Sequence, residues 1–130
     1  MRQLLLFVVT LITLQSQAQF ANDWIDYSRQ YWKFQIAQSG VYKVTYTQLL
    51  QAGFPVNTVN PTEIRFYARG QEVDVRAHGT DDGSFDVGDF FEIYALKNDG
   101  WLDAQIYTDP AKQANAAYSL FNDTAQYFIT

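Results

Sequence analysis

The sequence predicts a mainly antiparallel all-β fold, a β-sandwich or partly open barrel built of hairpins with one short helix, set behind an N-terminal signal peptide. Three observations point there. Apolar and polar residues alternate in short runs such as "YWKFQIA", "VYKVTY" and "FFEIYAL", the two-residue period of a strand with one buried face. Turn-forming pairs, among them Ser39-Gly40, Arg69-Gly70 and Asp99-Gly100, separate the runs. Aromatic residues make up 17% of the chain, which suits half-buried strands better than helices.

The first eighteen residues are of a different kind. Arg2 supplies a positive start, residues 4–14 are apolar apart from Thr10 and Thr13, and Ser16 and Ala18 place small residues at the cleavage positions. That is the pattern of a secretory signal peptide, and the apolar run is shorter than the about 20 residues a bilayer span needs. The reading is an exported chain in the periplasm, on the outer-membrane surface or outside the cell, with no membrane span after cleavage. Residues 1–18 are then the signal, 19–30 a polar lead-in and 31–130 a single β domain. All fourteen acids and eight of the nine basic residues fall after residue 18, so the exported part is acidic and nucleic acid is not a partner. The chain has no cysteine, hence no disulfide and no thiol nucleophile.

In chain order, Trp32, Phe34 and Ile36 alternate with polar neighbours, and Tyr42, Val44 and Tyr46 do the same after Gly40. A three-residue loop ending in a left-handed glycine predicts a hairpin pairing Ile36 with Tyr42, Phe34 with Val44 and Trp32 with Tyr46. Thr47 reads as the N-cap of a short helix over "QLLQA", stopped by Gly53 and Pro55. A second hairpin turns at Arg69-Gly70, pairing Phe66 with Val73 and Ile64 with Val75. Phe91, Ile93 and Ala95 form the buried side of the next strand, and "AQIYT" and "AQYFIT" read as two more. The last run stops in mid-strand at Thr130, the pattern of a domain truncated at its C-terminal end.

The acidic stretch at residues 80–94, "TDDGSFDVGDFFEIY", is the chain's main candidate site. Asp82, Ser84 and Asp86 sit at the first, third and fifth positions of an EF-hand count, but glycine falls at the seventh position and Ile93 at the twelfth, where a glutamate belongs. A calcium site from Asp82, Asp86 and Asp89 stays open as the alternative to a connecting turn, in which Phe85 is the one apolar anchor. Four aspartates in one glycine-rich loop face solvent and lack the two contrasting environments that acid/base catalysis needs. His78, the only histidine, reads as a loop or surface residue without catalytic partners. Trp24 and Trp101 are left without a partner by the strand pairings, which keeps a carbohydrate-binding reading open beside calcium. Asn122-Asp123-Thr124 matches an N-glycosylation acceptor, and Asp123-Thr124-Ala125 resembles the O-glycosylation pattern of Bacteroidota.

The phrases "NDWIDYSRQYWKFQIAQSGVYKVTYTQLLQAGF", "NPTEIRFYARGQEV", "DDGSFDVGDFFEIYALKNDGWLD" and "YSLFNDTAQYFIT" together resemble the β-rich region preceding the catalytic domain in gingipain-like cysteine peptidases of the PorU type, the sortases of the type IX secretion system in Bacteroidota. The resemblance covers almost the whole exported part. It implies a parent peptidase or sortase at the cell surface whose Cys-His dyad lies in a following caspase-like domain. No position here can carry either catalytic residue, so the resemblance implies a non-catalytic fragment whose partners are the catalytic and other β domains of its parent, with other type IX secretion components beyond them. A secreted glycan- or calcium-binding module is the alternative.

Overall fold

The computed structural model describes residues 22–115 and 117–130; the signal peptide lies outside the described residues. Among the described residues the fold is mainly antiparallel β with a single short α-helix, as the sequence predicts. Its elements are β1 (Trp32–Ile36), β2 (Gly40–Thr45), α1 (Tyr46–Gln51), β3 (Phe66–Ala68), β4 (Gln71–Val73), β5 (Val75–His78), β6 (Phe90–Ala95) and β7 (Ala125–Ile129). They form two sheets. Sheet A has the order β1-β7-β3-β4 and sheet B the order β2-β6-β5, and every ladder is antiparallel.

The two sheets share one core. Alternation sends Trp32, Phe34 and Ile36 of β1, Phe66 and Ala68 of β3, and Tyr127 and Ile129 of β7 inward from sheet A, and Phe91, Ile93 and Ala95 of β6 inward from sheet B. Phe66 and Phe91 meet between the sheets with ring centroids 5.4 Å apart, and both are fully buried. Burying one such side chain stabilises by about 1.5–3 kcal/mol. The phenol of the buried Tyr127 accepts a 2.7 Å hydrogen bond from the Leu96 amide, tying the end of β6 to β7.

The predicted β1–β2 hairpin does not form. β1 pairs with β7, Trp32 opposite Ile129, and β2 pairs with β6, Gly40 opposite Ala95. Residues 37–39 carry the chain from sheet A to sheet B. The hairpin required Gly40 to be left-handed, and it is not among the positive-φ glycines; it opens β2 instead. The alternation was consistent with both arrangements, because a strand buries the same side chains whichever neighbour it pairs with.

The second hairpin forms in the predicted register at Phe66 opposite Val73. Arg69 (φ 54°) and Gly70 (φ 77°) are both left-handed, the conformation of a type I′ turn. Ile64 and Val75 are not its next pair. Asp74 breaks the strand and passes the chain to sheet B, where Val75 pairs with Ile93. Ile64 is buried just before Arg65, whose amide and carbonyl are both bonded to Thr130, extending the β3–β7 ladder.

Helix α1 is capped by Thr45, two residues before the predicted Thr47. The Thr45 hydroxyl accepts from the Gln48 amide and the Gln48 side chain accepts from the Thr45 amide at 3.0 Å, a reciprocal capping box. Gly53 (φ 76°) ends the turn that follows. The predicted "AQIYT" strand is also absent: residues 103–106 form a 3-10 turn, entered through Gly100, whose φ of 80° favours glycine and where a Cβ would press on the Tyr118 and Ser119 backbone at 3.1–3.2 Å. The chain from residue 96 to 124 is thus a long irregular excursion between β6 and β7.

Candidate functional site

The acidic loop begins at Gly79 (φ 89°), makes a 3-10 turn over Thr80–Asp82 and leaves through Gly83 (φ 84°). Phe85 then anchors it. The ring is buried, lying 4.9 Å from Phe91 and 5.8 Å from Tyr46 between centroids, the apolar contact expected of it. Two of the four aspartates, Asp82 and Asp89, are engaged with the loop's own backbone. Asp82 Oδ1 accepts from the Ser84 amide at 2.9 Å; Asp89 Oδ2 accepts from the Asp86 amide at 2.7 Å, and the Asp86 carbonyl accepts from the Asp89 amide. The other side of the Asp89 carboxylate lies against Gly79, where a Cβ would collide with it. Asp86 and Asp89 are therefore brought together in one turn, with Asp82 in the preceding one. Among the described residues no group of three His, Cys, Asp or Glu side chains is arranged to hold a metal ion.

His78, read from the sequence as a loop or surface residue, is half-buried at the end of strand β5. Its ring stacks on Phe90 with centroids 4.4 Å apart, and the Lys43 ammonium lies 4.1 Å from the Phe90 centroid. Its Nε2 is buried without a hydrogen-bond partner. Among the described residues no hydroxyl or carboxylate hydrogen-bonds to the imidazole.

The two tryptophans left unassigned by the strand pairings are not brought together. Trp101, exposed, lies beside Arg69 in the β3–β4 turn at 5.8 Å, where Arg69 also holds Asp99 at 3.0 Å. Trp24 sits on the outward face of sheet A. Tyr67 and Phe128 are a cross-strand pair on that face, and the Trp24 ring lies 5.1 Å from each and 5.5 Å, edge on, from Tyr31. The Tyr31 hydroxyl accepts from the Asp26 amide at 2.9 Å, so the lead-in is pinned to the sheet at both ends of this cluster.

A groove of about 910 Å³ opens beside these rings. Its walls are the lead-in with Trp24, Asp26 and Arg29, the segment after α1 with Phe54, Thr58 and Asn60, and the start of β3 with Glu63, Arg65 and Tyr67. The register places it toward the end of sheet A where β1 and β3 begin and β7 finishes; the 96–124 excursion leaves from the other end. Asp26 is held below its ordinary pKa by hydrogen bonds from the Ser28 hydroxyl and amide, assisted by Arg29, which it meets at 3.3 Å. Arg65 meets Glu72 at 3.2 Å. Burial, with Glu72 and Tyr31 nearby, raises the Tyr67 phenol above its ordinary pKa. Tyr67 and Phe128 are opposite one another on the outward face, but the three segments that meet there are far apart in the chain, and only the fold joins them.

The excursion has the opposite character. Trp101, Leu102, Ile106, Tyr118, Leu120 and Phe121 all expose their side chains, Phe121 by 71% and Ile106 by 64%. Asn122 and Thr124, the glycosylation-like pair, close a local turn in which the Asn122 side chain accepts from the Thr124 amide and hydroxyl. Among the described residues no helix is long and apolar enough to cross a membrane. No family model, curated protein or solved structure matches the chain.

Proposed function

We propose that this chain is the non-catalytic N-terminal β domain of an exported gingipain-like cysteine peptidase of the PorU type, and that it packs against and positions the catalytic domain of that parent. The reading is supported chiefly by the excursion between β6 and β7. It concentrates six large exposed apolar side chains within residues 101–121, and exposed apolar side chains gathered in one segment suit a contact with another surface. The composition agrees, since without a cysteine the Cys-His chemistry of such a parent has to reside in another domain. In this reading the excursion is the docking face and the acidic loop a structural turn.

Reading the encoding DNA past the Thr130 codon tests the assignment. The expected result is an open frame running into a domain with a Cys-His pair; a stop codon directly after Thr130 overturns it. The docking face is tested by mixing this chain with the separately produced catalytic domain. Ile106→Asp with Phe121→Asp is expected to weaken their association at least about tenfold, the equivalent of about 1.4 kcal/mol, and unaltered association would place the contact elsewhere.

A further inference from the structure

We infer that the groove between the lead-in and the start of β3 is a binding site for an uncharged oligosaccharide. The groove and the excursion lie toward opposite ends of sheet A, so the site is distinct from the proposed docking face, and Thr130, from which the proposed parent continues, is one of its lining residues.

The rings come first. Trp24, Tyr31 and Tyr67 form a contiguous, half-buried cluster on the outward face of the sheet. Strand alternation explains Tyr67, but nothing in the sheet requires a tryptophan to be folded back over it from the lead-in. Aromatic rings of this kind present flat apolar faces with polar edges. A pyranose ring has matching chemistry: one or both faces carry axial C–H groups, and the rim carries hydroxyls that both donate and accept.

The polar residues fit the rim. Asn60 and Glu63 line the groove beside the rings, and both are exposed. The Asn60 side-chain oxygen caps the turn that follows by accepting from the Thr62 amide and hydroxyl, which fixes the orientation of the amide and leaves its NH2 to donate. Glu63 makes no ion pair among the described residues, so its carboxylate is available to accept from hydroxyls.

Charge decides against other ligands. The lining contains two acids, Asp26 and Glu63, and two arginines, Arg29 and Arg65, so it is balanced in a chain of net charge −5. Arg29 is paired with Asp26 and Arg65 with Glu72, each through Nε, so each guanidinium already faces a carboxylate and neither adds an uncompensated positive charge to the groove. An extended peptide would add to a free strand edge through main-chain hydrogen bonds. Along the wall formed by the start of β3 the backbone is taken, because Thr130 and Arg65 satisfy each other's amide and carbonyl at 2.9 and 3.0 Å, so recognition there is left to side chains, the mode that suits a sugar. The volume, about 910 Å³, lies within the range of roughly 300–1,000 Å³ typical of small-ligand clefts and admits more than one sugar ring.

Calorimetric titration of the purified protein with cellohexaose, laminarihexaose and mannohexaose, read in parallel by tryptophan emission, tests the inference. Saturable binding of at least one is expected. Trp24→Ala should weaken it at least about tenfold, Glu63→Ala should weaken it severalfold, and Trp101→Ala, at the other end of the sheet, should leave it unchanged. Should Trp24→Ala fail to fold, Glu63→Ala with Trp101→Ala as reference decides the matter. No saturation with any of the three sugars up to about 10 mM, a range that would still reveal millimolar affinity, overturns the inference. So does binding that survives both groove substitutions, or binding that Trp101→Ala abolishes.

Discussion

Asp89 shows how a residue that looks like a ligand can be a fastener. Its carboxylate holds the Asp86 amide on one side and touches the Gly79 backbone on the other, so it closes both ends of the acidic loop, and its carbonyl accepts from the first amide of α1. Gly79→Ala should therefore be costly twice over: it puts a side chain at φ 89° and drives it into the carboxylate. A loss of about 1–3 kcal/mol in urea denaturation is expected, whereas Gly88→Ala, whose Cβ would meet open space, bears only the backbone strain and should cost less. Tyr67 gives a pH dependence. Its folded pKa is raised above 10.0 by burial, with Glu72 and Tyr31 adding to it, so the protonated phenol is favoured by folding. That stability is fully present below the unfolded pKa and is lost as pH rises through the folded one. Phenolate absorbance should show one tyrosine titrating late, and Tyr67→Phe should remove that component and flatten the alkaline fall in stability; a titration unchanged by the substitution would contradict this.

At the scale of elements, alternation identified inner faces well and partners poorly. Phe91, Ile93 and Ala95 are buried as their spacing predicts, and the Arg69-Gly70 turn fixes Phe66 opposite Val73 because a two-residue loop permits one register. The β1–β2 connection is longer, and its glycine does not take the φ that would have closed a hairpin, so the same alternation serves a passage between sheets. The acidic loop was legible as a turn pinned by Phe85, while the groove was not, because Trp24, Asn60 and Tyr67 meet only through tertiary packing. The helix cap was legible but misplaced: Thr45-x-x-Gln48 is a capping-box pattern in the sequence itself, and Thr47 lies one residue inside the helix. Thr45→Ala should cost about 1 kcal/mol, and Thr47→Ala should stay within about 0.5 kcal/mol. Equal losses in chemical denaturation would contradict the cap assignment.

For the whole molecule, stability rests on one apolar core without disulfide support. A domain of this size holds a small margin over unfolding, and here part of its apolar inventory, from Trp101 to Phe121, faces solvent. Residues 19–130 alone should melt at a modest temperature, and the catalytic domain of the proposed parent should raise that temperature. Phe66→Ala at the contact between the sheets removes about 3–5 kcal/mol, enough to leave the isolated domain largely unfolded at 37 °C by circular dichroism. A cooperative transition of the unmodified domain at high temperature would argue against dependence on a neighbour.

The latest of the described strands, β7, is the second strand of sheet A. β7 lies between β1 and β3, so the earliest strand waits for the latest: Trp32 finds its partner only when Ile129 is available. Closing a loop of roughly 100 residues costs about 3 kcal/mol more than closing a three-residue hairpin, and topologies dominated by such distant pairs fold slowly. A nascent chain halted before Ala125 has β1 and β3 with an empty lane between them, and sheet B can assemble first only as half of a core. The order of the strands thus holds sheet A open until β7 has been made, and with it the common core that both sheets share.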